Sequence, residues 1–155
     1  MTSQEFDKLI QKDKYQVFIL SSSAALPFIV FHHPWFVINQ KGKISRFEIR
    51  HERNINKNLG YLHINAQPPF QGIPMFYYIK KFFYRTKLLK IIQGGEDSLA
   101  KKVSDFIENS KQTYPLLKKY SFVGPNCSTY VEWVLNNFPE IDLELPWNAI
   151  GKNFT

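Results

Sequence analysis

The stretch "HHPWFVINQKGKISRFEIRHE" constrains the fold more than any other. Two runs rich in β-branched and aromatic residues, "HHPWFVIN" and "ISRFEIRHE", flank "QKGK", and Gly42 suits a tight turn there. The segment reads as a β-hairpin, which commits the chain to antiparallel pairing. "YQVFIL" (15–20) reads as another strand, buried on both faces. "NINKNLGYLHINAQPP" reads as a loop with a short strand near Tyr61–Ile64, residues 72–85 as a helix, and "TKLLKIIQ" as a strand ended by Gly94-Gly95.

Helical spacing dominates further on. "EDSLAKKVSDFIENS" has acids at its start and apolar residues at Leu99, Val103, Phe106 and Ile107, the signature of an amphipathic helix with acids in its first turn. "CSTYVEWVLNNF" repeats the pattern with Val131, Val134, Leu135 and Phe138, and Pro139 closes it. The tail, "PEIDLELPWNAIGKNF", reads as an ordered loop that packs its apolar residues back on the body. The predicted class is α+β, a small, mostly antiparallel sheet packed against helices. With 155 residues, 44% of them hydrophobic, one domain over 1–155 is expected, residues 1–14 forming a flexible or helical extension.

A single cysteine excludes an internal disulfide and a Cys-rich zinc site, so neither a metal nor an organic cofactor is implied. The N-terminus mixes acids with lysines, and serines and Pro27 break the apolar run "VFILSSSAALPFIVF". That makes a poor signal sequence and no membrane span, so a cytoplasmic location is expected. The net charge of +7 points to anionic neighbours or an anionic surface. "YIKKFFYRTKLLK" interleaves basic and aromatic residues, but no nucleic-acid module accompanies it, and specific nucleic-acid binding is not expected.

The chemistry centres on "GPNCSTYVEW" (124–133). Asn126 is a good N-cap, which would make Cys127 the first helical residue, beside unpaired backbone N–H groups and the positive end of the helix dipole. Those N–H groups could receive the oxyanion of a tetrahedral intermediate. A competing register has Thr129 and Glu132 as a capping box and Cys127 in the turn before the helix. A lone cysteine is also a common buried apolar residue. A thiol nucleophile needs a base, and strand alternation puts His33 on one face with Trp35 and Val37, and His32 on the other with Pro34 and Phe36. The hairpin's second arm returns beside the first. With the turn centred near Gln40–Lys41, His33 lies opposite residues 48 to 49. Glu48 is then the candidate to orient the ring, with His51 as fallback, unless Glu48 pairs with an Arg or Lys across the strand.

The order of these parts, "HHPWFVIN" and then "NCSTYV", resembles the circularly permuted papain-like hydrolases, relatives of the NlpC-type peptidases and lecithin retinol acyltransferases, in which histidine precedes cysteine. The stretches "HPWFVI", "FEI", "TYP", "GPNCSTY" and "LPWNAIGKN" are also similar to the signature of an uncharacterised bacterial domain family. That match aligns His33 and Glu48 with the family's His and Glu, and Cys127 with a position where the family has Ser.

The resemblance implies a permuted papain-like fold and a thiol hydrolase or acyltransferase acting on an amide, ester or thioester of a peptide, lipid or other acyl substrate. Cys127 would be the nucleophile, His33 the base and Glu48 the orienter, with Asn126, Trp35 and Tyr130 as oxyanion- or substrate-binding residues. The alternative is a non-catalytic module of the same fold that binds an anionic lipid or peptide.

Overall fold

The computed structural model describes residues 3–76 and 81–154. Five antiparallel strands form one open sheet in the order β4-β3-β2-β1-β5: β1 (Tyr15–Ser23), β2 (His32–Gln40), β3 (Lys43–Ile49), β4 (Leu62–Ile64) and β5 (Lys87–Gly94). Three helices accompany it: α1 (Ser3–Asp7), α2 (Leu99–Thr113) and α3 (Cys127–Asn137). The class is α+β, as the residue pattern predicts.

The hairpin turns through Lys41 and Gly42, both at positive φ (53° and 94°), as a two-residue loop requires. The β2/β3 ladder therefore pairs Val37 with Arg46 and Phe36 with Phe47, and stops there. Continued to the strand end, this register sets His33 opposite Arg50 and Trp35 opposite Glu48. The expectation of His33 opposite 48 to 49 shifts accordingly. Because the shift leaves Glu48 two residues off the direct partner, it stays on the face of His33 and becomes its diagonal neighbour.

Alternation divides the core between the two faces of the sheet. Val17, Ile19, Phe36, Ile38, Phe47 and Ile49 point toward α2 and α3, where they meet Val103, Ile107, Tyr130 and Val134. The opposite face carries Phe18, Leu20, Trp35 and Val37, closed by Phe6 of α1 and Phe70. Phe6 stacks on Phe70 with ring centroids 4.7 Å apart. The extension thus holds a short helix that anchors Phe6 in this second cluster.

Two local expectations change. Ser98, rather than an acid, begins α2: its hydroxyl accepts from the Lys101 N–H, so Glu96 and Asp97 precede the helix. The described parts of 72–85 are extended, not helical. Pro74 bridges antiparallel to Phe83, with Met75 N donating to Phe82 O and Tyr84 N to Ile73 O. Pro74 disfavours a helical Ile73, and this pairing satisfies the backbone instead. Residues 77–80 of that segment lie outside the described residues. The tail packs back as expected, with Ile141, Leu145 and Ala149 buried in the helix-side core. Among the described residues, no helix is long and apolar enough to cross a membrane.

Candidate functional site

The cap that starts α3 places the cysteine. Asn126 Oδ1 accepts from the N–H groups of Ser128 (2.9 Å) and Thr129 (3.3 Å), and Thr129 Oγ1 accepts from the Asn126 N–H (3.1 Å). This reciprocal cap resolves the two registers in favour of Asn126 and puts Cys127 at the first helical position. Two of the first three helical amides serve the cap, and that of Cys127 has no acceptor within the helix.

The C-terminal signature holds this turn in place. Thr129 Oγ1 donates to Gly151 O (2.7 Å), and Gly151 has φ +86°. A Cβ on Gly151 would lie 2.6 Å from Asn126 Nδ2, so only glycine lets the tail approach the cap. Upstream, Asn148 Nδ2 donates to Val30 O (2.6 Å) and the His32 N–H to Asn148 O (3.3 Å). One segment, 148–151, therefore ties the start of α3, with Cys127, to the start of β2, with His33.

His33 is the junction. Its Nε2 lies 3.2 Å from Glu48 Oε2, and its ring stands close enough to Cys127 for the sulfur to bear on its charge. The β2/β3 ladder has ended before His33, so the ring lies between Glu48, on its own face, and Cys127, at the head of the helix covering the other. Cys127 is 9% exposed and Glu48 fully buried. His33 and Cys127 line one cavity of about 110 Å³ together with His32, Arg50, His51 and Asn126.

Charge is arranged along the same line. Burial alone would lower the pKa of His33. The Cys127 sulfur and the Glu48 carboxylate outweigh it and raise the value to about 9. Burial would raise Glu48 in turn, but the hydrogen bond from His33 and the Arg46, His33 and Arg50 charges bring it down to about 2. His32 and His51 shift the other way, lowered chiefly by burial.

Arg46 is the residue that sequence reasoning did not single out. Its side chain is wholly buried, with Nη2 2.8 Å from Glu48 Oε2 and Nη1 donating to Pro68 O (3.0 Å) and Gln71 O (2.5 Å). Its guanidinium lies over the Trp35 ring, 4.4 Å from the centroid. Glu48 thus meets both partners considered for it, the histidine and an arginine. The arginine is two residues along the same strand rather than across it. The one available signal was the same-face spacing of Arg46, Glu48 and Arg50.

Three predicted binding residues sit differently from expectation. Trp35 is fully buried under Arg46, its Nε1 donating to Pro69 O (3.1 Å), and Tyr130 is fully buried with its hydroxyl 2.8 Å from Ser110 Oγ. Neither borders the cavity; the apolar faces that attracted attention to them belong to the two cores. Asn126 does line the cavity, but its Oδ1 serves the cap and its Nδ2 donates to Phe122 O (2.9 Å). It acts as a cap rather than as an oxyanion donor. His51 reaches the cavity wall beside Glu52, with its Nε2 3.6 Å from Glu52 Oε1.

No curated protein and no solved structure matches the chain. A family model described as "Protein of unknown function (DUF3750)" matches residues 14–154. That span takes in the strands bearing His33 and Glu48, the helix bearing Cys127 and the tail that ties them, and the chain belongs to this family.

Proposed function

We propose that this protein is a thiol hydrolase or acyltransferase on a permuted papain-like α+β fold. One observation carries the reading: a single, mostly buried imidazole stands between a carboxylate and a cysteine sulfur on the wall of one cavity. The chain order His33, Glu48, Cys127 supports the permuted arrangement, as does a nucleophile at the first turn of a helix packed on an antiparallel sheet.

In the forward step, the Cys127 sulfur, having given its proton to His33, bonds to the carbonyl carbon of an amide, ester or thioester. The carbonyl oxygen becomes the oxyanion, received by the Cys127 N–H that the cap leaves without a helical partner. When the tetrahedral intermediate collapses, the bond to the leaving group breaks and the His33 imidazolium protonates that group. Water or another acceptor then attacks the thioester carbonyl, giving its proton to His33; collapse breaks the C–S bond, the acyl product leaves, and the Cys127 sulfur and protonated His33 are restored. Glu48 fixes the ring orientation and stabilises the imidazolium, and Arg46 holds Glu48 as a carboxylate.

The test is to incubate the protein with activated acyl esters and thioesters and read intact mass. An acyl adduct on Cys127 that His33→Ala slows by orders of magnitude is expected. Adducts spread over lysines, or equal labelling in Cys127→Ala, would leave a binding module as the better description.

A further inference from the structure

We infer that the face around the cavity mouth is a membrane-docking surface, an apolar collar that enters the headgroup region of an anionic bilayer. The inference goes beyond the catalytic reading and does not require it. Among the described residues, every exposed large apolar side chain except Ile55 comes from four short stretches: 26–30, Phe76 with Phe82, 122–123 and 147–154. The most open are Trp147 (87%), Val123 (68%), Val30 (62%) and Phe82 (56%).

These segments are neighbours in space. Leu26 N donates to Met75 O (3.0 Å), and Met75 N to Phe82 O (2.8 Å). Phe28 and Phe31 pack against Phe122 at centroid distances of 4.7 and 5.4 Å. The Asn148 amide holds Val30 O, and the Phe154 side chain packs onto Gly124, beside Val123. Phe28, Phe31, Phe122, Pro74 and Ile150 continue the apolar surface into the cavity wall. A contiguous exposed patch of this kind marks an interaction site.

Charge selects the partner. Between Glu52 and Glu96, and again between Glu108 and Glu132, the chain has no acidic residue, and none follows Glu144. The first interval carries Lys81, Arg85 and Lys87, all exposed and flanking Phe82, and the second carries exposed Lys118 and Lys119 just before Phe122. Aromatic and aliphatic tips on separate loops, flanked by more cations than carboxylates (Glu52 on the cavity wall and Glu144 before Trp147), fit the headgroup zone of an anionic bilayer. Trp and Phe partition to that depth, and the cations meet lipid phosphate and carboxylate.

Trp147 supplies the assay, because Trp35 is buried in the sheet and Trp133 is packed against Phe106 and Tyr114. Vesicles of phosphatidylcholine with phosphatidylserine are expected to blue-shift the fluorescence, brominated lipid to quench it, and Cys127→Ala to behave as the parent does. Trp147→Phe should lose the optical change but still co-sediment. A Phe82→Ser/Val123→Ser/Trp147→Ser variant with an unchanged circular-dichroism spectrum should bind at least about tenfold more weakly. Lys81→Glu/Arg85→Glu should erase the preference for phosphatidylserine over pure phosphatidylcholine. Undiminished binding by the triple serine variant would overturn the proposal. So would self-association in place of vesicle binding, or no fluorescence change with either vesicle.

Discussion

Replacing Arg46 by methionine should cost far more than an arginine on a strand ordinarily would, and the loss should be relieved by also neutralising Glu48. Arg46 and Glu48 are both fully buried, joined at 2.8 Å, and only His33 at 3.2 Å and Arg50 at 3.8 Å remain near the carboxylate. At an effective dielectric of about 20, two unit charges about 4 Å apart attract by about 4 kcal/mol. Removing one partner of a buried pair costs about 3–5 kcal/mol, mostly because the other charge is stranded. Methionine would keep the packing on Trp35 but would take its donor from the carbonyl of Gln71, about 1 kcal/mol or more, and leave Pro68 O with the Gln71 N–H alone. Against a domain stability of about 5–15 kcal/mol, Arg46→Met stands near the edge of folding. The double variant Arg46→Met/Glu48→Gln strands no charge, so it should recover about 2–3 kcal/mol relative to the sum of the single losses. Urea titration of the four proteins at equal slope gives this coupling directly. Losses that add to within about 0.5 kcal/mol would refute the claim that Arg46 exists to neutralise Glu48.

Three further outcomes follow from the same geometry. The His33 ring should titrate near 9 in an NMR pH series while His32 and His51 titrate below the ordinary histidine value, and Glu48→Gln should bring His33 down. Because the folded pKa of His33 lies above 6.5, its contribution to stability is complete below about 6.5 and fades as pH rises through about 9. Glu48 is shifted the opposite way, so its contribution is present above about 4.5 and lost as pH falls through about 2; thermal unfolding across pH checks both signs. Asn126→Ala should cost about 1–2 kcal/mol in denaturant through loss of the cap, and should slow any acyl-adduct formation, since the same cap places Cys127. Gly151→Ala should cost about 1–3 kcal/mol and perturb the same turn, because its φ is positive and its Cβ would press on Asn126.

The parts of the fold that local chemistry determines are legible in the sequence. A continuous apolar run marks β1, strand-forming runs on either side of Gly42 mark the hairpin of β2 and β3, and Pro125 and Asn126 mark the start of α3. What is not legible depends on distant contacts. Lys41 at positive φ shifts the hairpin register, and nothing in a lysine announces that conformation. The strand through Ile44, Arg46 and Glu48 looks amphipathic in the ordinary sense, with charge toward water. Burying that face under 68–71 is a tertiary event, and it turns Arg46 from a surface cation into part of the site. Residues 72–76 and 81–85 have helical composition yet pair with each other, because Pro74 removes one option and the Phe82 and Phe83 backbone supplies another. Trp35 and Tyr130 stand close to the site residues in sequence, but cover by Arg46 in the first case and helical rotation in the second place them in the cores. His33, Glu48 and Cys127 could be singled out because each lies on an element with strong local signals.

The central claim is that His33 activates Cys127, and the rate at which iodoacetamide alkylates the cysteine tests it most directly. Measured between pH 5 and 9 and mapped by peptide mass, wild-type labelling should fall on Cys127 and run faster than on a free cysteine at and below neutral pH. His33→Ala should return the rate to that of an ordinary thiol. Labelling no faster than free cysteine, and unchanged by His33→Ala, would contradict the account.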